Sequence, residues 1–68
     1  MKTLPIGTTG VAAYDIDCID GTILEGSRVT ITGIDDMSPS YGYELTDEYG
    51  VRAVETGFDS IIPDRNYQ

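Results

Sequence analysis

Apolar side chains in this chain recur at every second position, and no window holds the three-to-four-residue apolar spacing of a long helix. Glycine, proline, aspartate and serine cut that rhythm at short intervals. A chain patterned this way can bury one side of short strands and little else, so the expected fold class is all-β. Its 68 residues make one domain, 1–68, and a domain this small hides only ~60% of the surface its unfolded chain exposes. The core must therefore be small. With 40% hydrophobic and 24% charged residues, the chain is still apolar enough to fold.

Over residues 12–18, Ala12, Tyr14, Ile16 and Cys18 fall on one side and Ala13, Asp15 and Asp17 on the other, which predicts a half-buried strand. Residues 19–26 are too broken for a regular element and read as a long structured loop or irregular hairpin. Clean alternation over 28–34 predicts a strand with Val29 and Ile31 inward and Arg28, Thr30 and Thr32 outward. The acidic run 35–40, with its Pro and Ser residues, predicts a surface loop. Tyr41, Tyr43 and Leu45 share a face opposite Gly42, Glu44 and Thr46, and Asp47-Glu48-Tyr49-Gly50 predicts a tight turn with a left-handed Gly50. The return strand 51–56 carries apolar residues on both faces, so its buried face is open. Gly57-Phe58-Asp59-Ser60 predicts one 3₁₀ turn before a last strand through Ile61, Ile62 and Pro63, with 64–68 as a flexible tail. Five short strands joined by one long, one medium and one tight loop suit a small barrel, which leaves few edges unpaired.

Certain residues also carry a likeness. Ala12-Ala13-Tyr14-Asp15-Ile16 resembles the Ala-Leu-Tyr-Asp-Tyr opening of Src-homology-three domains, and an acidic loop follows it. Leu24-Glu25-Gly26 resembles the turn before that family's second strand, and Ile62-Pro63-Asp64-Arg65-Asn66-Tyr67 is similar to its Pro-Ser-Asn-Tyr ending. The match in element order covers nearly the whole chain and implies a five-stranded Src-homology-three-like barrel of bacterial or phage type. Members of the family bind proline-rich peptides in an aromatic groove that uses a Trp at the start of the third strand. This chain has no Trp, and the second Tyr of the opening motif is Ile16. Carried over residue by residue, the groove consists of Tyr14, Pro63 and Tyr67, with Tyr41 near the place of the missing Trp. The same barrel serves many functions, so surfaces must decide this one.

Charge narrows the partners. Twelve acids stand against Lys2, Arg28, Arg52 and Arg65, for a net charge of -8, which argues against direct binding to nucleic acid or a membrane surface and for a basic protein partner. Cys18 is the single cysteine and no His is present, so an internal disulfide and a zinc site are both unexpected. Residues 1–7 lack a signal peptide's apolar run, and no stretch approaches the ~20 apolar residues of a membrane span. The expectation is a cytoplasmic protein, in the host cytoplasm if phage-encoded, without metal or cofactor.

Candidate chemistry is thin. Ile19-Asp20-Gly21-Thr22-Ile23 is similar to the Asp-x-Asp-Gly-Thr signature of haloacid-dehalogenase-type phosphatases, but Cys18 stands at the nucleophile position and the chain is too short for the α/β fold such a site needs. Asp15, Asp17 and Asp20 before Gly21, with Glu25 beyond, approximate a calcium loop with one residue too many before the Gly and no flanking helices. Cys18, on the apolar side, reads as an inert core thiol. No catalytic residue is expected and the chain does not read as an enzyme. The expected function is a protein-binding module engaging its partner through acidic loops and tyrosines: Tyr14, Asp15, Asp17, Asp35, Asp36, Asp47, Glu48, Tyr49, Pro63 and Tyr67. A second reading is a phage or mobile-element inhibitor whose carboxylates imitate nucleic-acid phosphates on a host defence protein, with Asp35, Asp36, Asp47 and Glu48 foremost. A third is a structural homo-oligomer subunit joined through strand edges.

Overall fold

The alternating pattern resolves into seven strands in the computed structural model, which describes residues 3–18, 21–35 and 42–64. They are β1 (Thr9–Ala12), β2 (Ile16–Cys18), β3 (Gly21–Ile23), β4 (Arg28–Asp35), β5 (Gly42–Asp47), β6 (Arg52–Thr56) and β7 (Ile61–Pro63). Five form one antiparallel sheet in the order β6-β5-β4-β1-β7, and β2 pairs with β3 as a separate hairpin. No helix occurs among the described residues, and none is long and apolar enough to cross a membrane.

The fold is all-β as expected, but the closed five-stranded barrel is not found. β6 and β7 end the sheet on opposite sides, and among the described residues no ladder joins them. Two local features work against closure. β7 is three residues long and ends on Pro63, which has no N–H to donate. β6 contains a bulge at which Glu55 adopts a φ of 56°, and a bulge of this kind interrupts a ladder. Of the two additional strands, β3 arises where a structured loop or irregular hairpin was expected and β2 from the second half of the strand expected over 12–18: Ile16, Asp17 and Cys18 pair with Ile23, Thr22 and Gly21.

The continuous strand expected over 12–18 is also divided. After Ala12 the chain bends through 13–15 and leaves the sheet, its departure fixed by Ala13 N–H donating to the Ser60 carbonyl at 2.8 Å. Asp35 is the last residue of β4, opposite Gly42, rather than part of a loop. The loop expected over 36–40, Tyr41 and the tail 65–68 lie outside the described residues.

Inward residues follow the period-two pattern except at two register shifts, between Ile31 and Gly33 in β4 and between Ala53 and Thr56 in β6. Val29 and Ile31 from β4, Tyr43 and Leu45 from β5, Ala12 from β1 and Ile61 from β7 meet Ile16 and Ile23 of the hairpin. Burying a side chain such as Ile31 or Leu45, each fully buried, contributes about 1.5–3 kcal/mol. On β6, Leu45 pairs with Ala53 and Tyr43 with Thr56. Three residue steps on β6 thus oppose two on β5, so Ala53 and Thr56 both face inward while Val54 and Glu55 face out. That extra residue explains why simple alternation left the buried face undecided.

Both short turns lie where the sequence placed them. Between β5 and β6, Asp47 Oδ1 accepts the Tyr49 and Val51 N–H groups at 2.9 and 2.8 Å, and Gly50 takes a φ of 88° that a side chain would oppose. Residues 57–60 make a single turn closed by Ser60 N–H to the Gly57 carbonyl at 3.0 Å, not a 3₁₀ helix.

Candidate functional site

The bend between β1 and β2 brings Tyr14 to the surface, 42% exposed. Ala12 pairs with Ile61, so the residues after Ala12 run past the 57–60 turn that leads into β7. Tyr14 donates its hydroxyl to Asp59 Oδ1 at 3.2 Å. Gly57 leaves room for this contact, since a Cβ there would lie 3.2 Å from the Tyr14 oxygen. Partial burial of the phenol, followed by the hydrogen bond and negative charge of Asp59, raises the Tyr14 pKa above its ordinary 10.0. The group therefore remains a neutral donor at physiological pH.

The Asp59 turn is held from within. Ser60, fully buried, donates to Thr56 Oγ1 at 2.9 Å, and Thr56 donates to the Tyr43 carbonyl at 2.8 Å. The Tyr43 hydroxyl accepts the Leu4 N–H at 2.9 Å, and its ring meets Phe58 edge-on with centroids 5.1 Å apart. Core packing thus fixes the turn, the turn presents Asp59, and Asp59 orients Tyr14. Among the described residues no buried side-chain nitrogen or oxygen lacks a partner.

Acids continue from this rim onto the hairpin. Asp15 Oδ1 accepts the Glu25 N–H at 2.8 Å and ties the hairpin's two ends together. Asp17 Oδ1 accepts the Thr22 hydroxyl at 3.2 Å, across the β2–β3 ladder and exposed. These bonds bring Tyr14 to Asp59 and Asp15, its neighbour in the chain, to Glu25, with Asp17 on the adjoining strand.

A second group forms at the far tip of β5–β6. Tyr49 is 81% exposed there, while Asp47 is engaged by the turn. A shallow depression of about 100 Å³ beside it is lined by Asp47, Glu48, Arg28 and the threonines of three neighbouring strands. Arg28 donates Nη1 and Nη2 to the two Asp64 oxygens at 2.6 and 2.7 Å, and Thr9 adds a third bond to Asp64 at 2.7 Å. The hydrogen bond and charge of Asp64, with a smaller contribution from Glu48, raise the Arg28 pKa.

Pro63 ends β7 opposite Gly10 of β1, and Tyr14 stands in the bend that follows β1. Asp36 and Tyr67 lie outside the described residues, and Asp35 is placed by its backbone alone. Sequence reasoning missed Asp59 and Gly57, whose segment read only as a turn. Cys18, half-buried, points its thiol at the Ile16 carbonyl at 3.5 Å. Asp20 of the calcium-like spacing lies outside the described residues, and among those described no group of three metal-ligating side chains occurs. Compared with protein-family models, curated proteins and solved structures, the chain matches none.

Proposed function

We propose that this chain is a non-catalytic protein-binding module that takes a basic polypeptide segment along the rim formed by Tyr14, Asp15, Asp17 and Asp59. The observation that carries the reading is the exposed Tyr14 ring, oriented by Asp59 through a turn anchored in the core. A rigid aromatic face beside carboxylates suits an arginine or lysine approaching from solvent, because the ring offers apolar and cation–π contact and the acids supply charge. The net charge of -8 would speed the encounter with a positive partner. A Src-homology-three-like architecture is part of the proposal. Tyr14 at the exit of the first sheet strand, an acid-bearing hairpin after it and a short turn before the last strand all favour that likeness, with Asp59 bonded to Tyr14 at the rim.

The nucleic-acid-mimic reading draws less support. Asp47 is committed to its turn and Arg28 lies in the same depression as Glu48, so that surface mixes both signs. Homo-oligomerisation through strand edges is discouraged by the Pro63 terminus of β7 and the bulge in β6.

The test is fluorescence anisotropy with a labelled peptide rich in lysine, arginine and proline, and an acidic peptide as control. Binding of the basic peptide and not of the acidic control, abolished by Tyr14→Ala and weakened by Asp59→Asn, supports the module. Equal binding to wild type and Tyr14→Ala, or none to either, sinks it.

A further inference from the structure

The last strand of the sheet is lightly anchored and pinned at its two ends. β7 pairs with β1 alone; Ile61 lies in the core, while Ile62 is 56% exposed. At the start of the strand, Ala13 N–H donates to the Ser60 carbonyl at 2.8 Å, one residue before Tyr14. At its finish, Asp64 N–H donates to the Thr9 carbonyl at 3.0 Å. The Asp64 carboxylate accepts Arg28 Nη1 and Nη2 at 2.6 and 2.7 Å and the Thr9 hydroxyl at 2.7 Å. Arg28 belongs to β4, where it lies opposite Val11, and Val11 in turn lies opposite Ile62. The guanidinium therefore reaches over β1 to hold a strand with which β4 does not pair. A fork of two N–H groups on one carboxylate is the strong form of an exposed ion pair.

We propose that the Arg28–Asp64–Thr9 clasp is the latch of a conformational switch: once it breaks, β7 and the 57–60 turn leave β1 as one unit and carry Asp59 away from Tyr14. Short edge elements with few buried contacts open at a fraction of the cost of global unfolding. Between the two pinned ends stand Ile61 and the buried Ser60, so the Ile61 packing and the Ser60–Thr56 bond are lost together when the strand lifts. Opening also removes the Asp59 partner of Tyr14, so closure of β7 and occupancy of the rim favour one another. Only that last step rests on the Tyr14 rim as a docking surface; the opening itself does not.

Native-state hydrogen exchange of the isotope-labelled chain reads the opening directly. Arg28→Gln removes the fork, and Arg52→Gln on β6, at the opposite side of the sheet, makes the same change of charge as a control. Arg28→Gln should speed exchange of the Asp64 and Ala13 amides by one common factor, about two- to fivefold, the scale of an exposed ion pair. The Ile31 amide, bonded to the Thr8 carbonyl at 2.9 Å, should keep its rate, and Arg52→Gln should alter none of the three. Raising salt from roughly 0.02 M to 0.3 M should speed Asp64 and Ala13 in the parent but not in Arg28→Gln. Acceleration at Asp64 alone is fraying of the strand end and overturns the switch. Equal acceleration at Ile31, which is global unfolding, or no acceleration at all overturns it too. A peptide rich in lysine, arginine and proline, at about ten times its dissociation constant, should slow Asp64 exchange about tenfold, although Asp64 closes the far end of β7. Peptide bound at Tyr14 without that protection overturns the coupling. Failure of the peptide to bind, with Arg28→Gln behaving as expected, overturns the docking surface and upholds the switch.

Discussion

Replacing Thr56 with Val removes two hydrogen bonds from the core and leaves its volume nearly unchanged. Thr56 is 7% exposed, accepts from the fully buried Ser60 hydroxyl and donates to the Tyr43 carbonyl. Each such bond contributes about 1 kcal/mol net, and a buried hydroxyl stranded without an acceptor costs about 1–3 kcal/mol. The near-isosteric shape adds no cavity, so Thr56→Val should lose about 2–3 kcal/mol, a large share of the roughly 3–10 kcal/mol expected for a domain of this size. Ser60→Ala in the same chain removes the stranded hydroxyl, so the double variant should be no less stable than Thr56→Val alone. Urea unfolding followed by circular dichroism measures all four proteins, with the slope unchanged if the unfolded states match. Thr56→Val within about 0.5 kcal/mol of the parent, or strictly additive losses in the double variant, would refute the relay.

Further outcomes follow from named contacts. Tyr14 should titrate above pH 10.0 in an ultraviolet titration, and Asp59→Asn should bring the midpoint only part of the way down, because partial burial remains. The folded phenol binds its proton more tightly than the unfolded one, so its contribution to stability is complete below the unfolded pKa and fades as pH rises through the folded value; urea midpoints rising over that range would contradict it. Gly10→Ala should cost about 2–3 kcal/mol, since its Cβ would collide with the Ile62 carbonyl, and the Asp64 amide bonded to Thr9 should exchange faster with solvent. Glu55→Gly should stabilise the fold by about 0.5–1 kcal/mol by relieving the left-handed backbone at 56°; a lower urea midpoint would count against strain at the bulge.

The sequence was informative where burial and turn chemistry act locally. Val29 and Ile31 alternate with threonines, and Asp47 with Gly50 closes a turn through its own side chain, so β4 and the β5–β6 turn were readable from neighbouring residues. β6 was not, because one bulged residue changes which side chains face inward and nothing in Val54-Glu55-Thr56 announces it. The split after Ala12 was equally hidden. Tyr14 fits a strand pattern with Ala12 and Ile16, and only the bonds from Ala13 to Ser60 and from Glu25 to Asp15 show that the chain turns away there. At the candidate site, Tyr14 and Asp15 were legible as an aromatic beside an acid. Asp59 is 45 residues away and is brought to Tyr14 by the register of β1 with β7, which local spacing cannot encode. The same register sets Pro63 opposite Gly10.

The central claim is that the Tyr14–Asp59 rim is a preformed surface for basic polypeptides. Its most direct test is amide shift mapping of the isotope-labelled protein with a peptide rich in lysine, arginine and proline, repeated from roughly 0.02 M to 0.3 M salt, over which screening shortens to below ~8 Å. The predicted result is a contiguous set of shifted amides at Tyr14, Asp15, Asp17 and Asp59, weakening with salt and lost in Tyr14→Ala. Shifts that leave those residues untouched, or that persist unchanged in Tyr14→Ala, would contradict it.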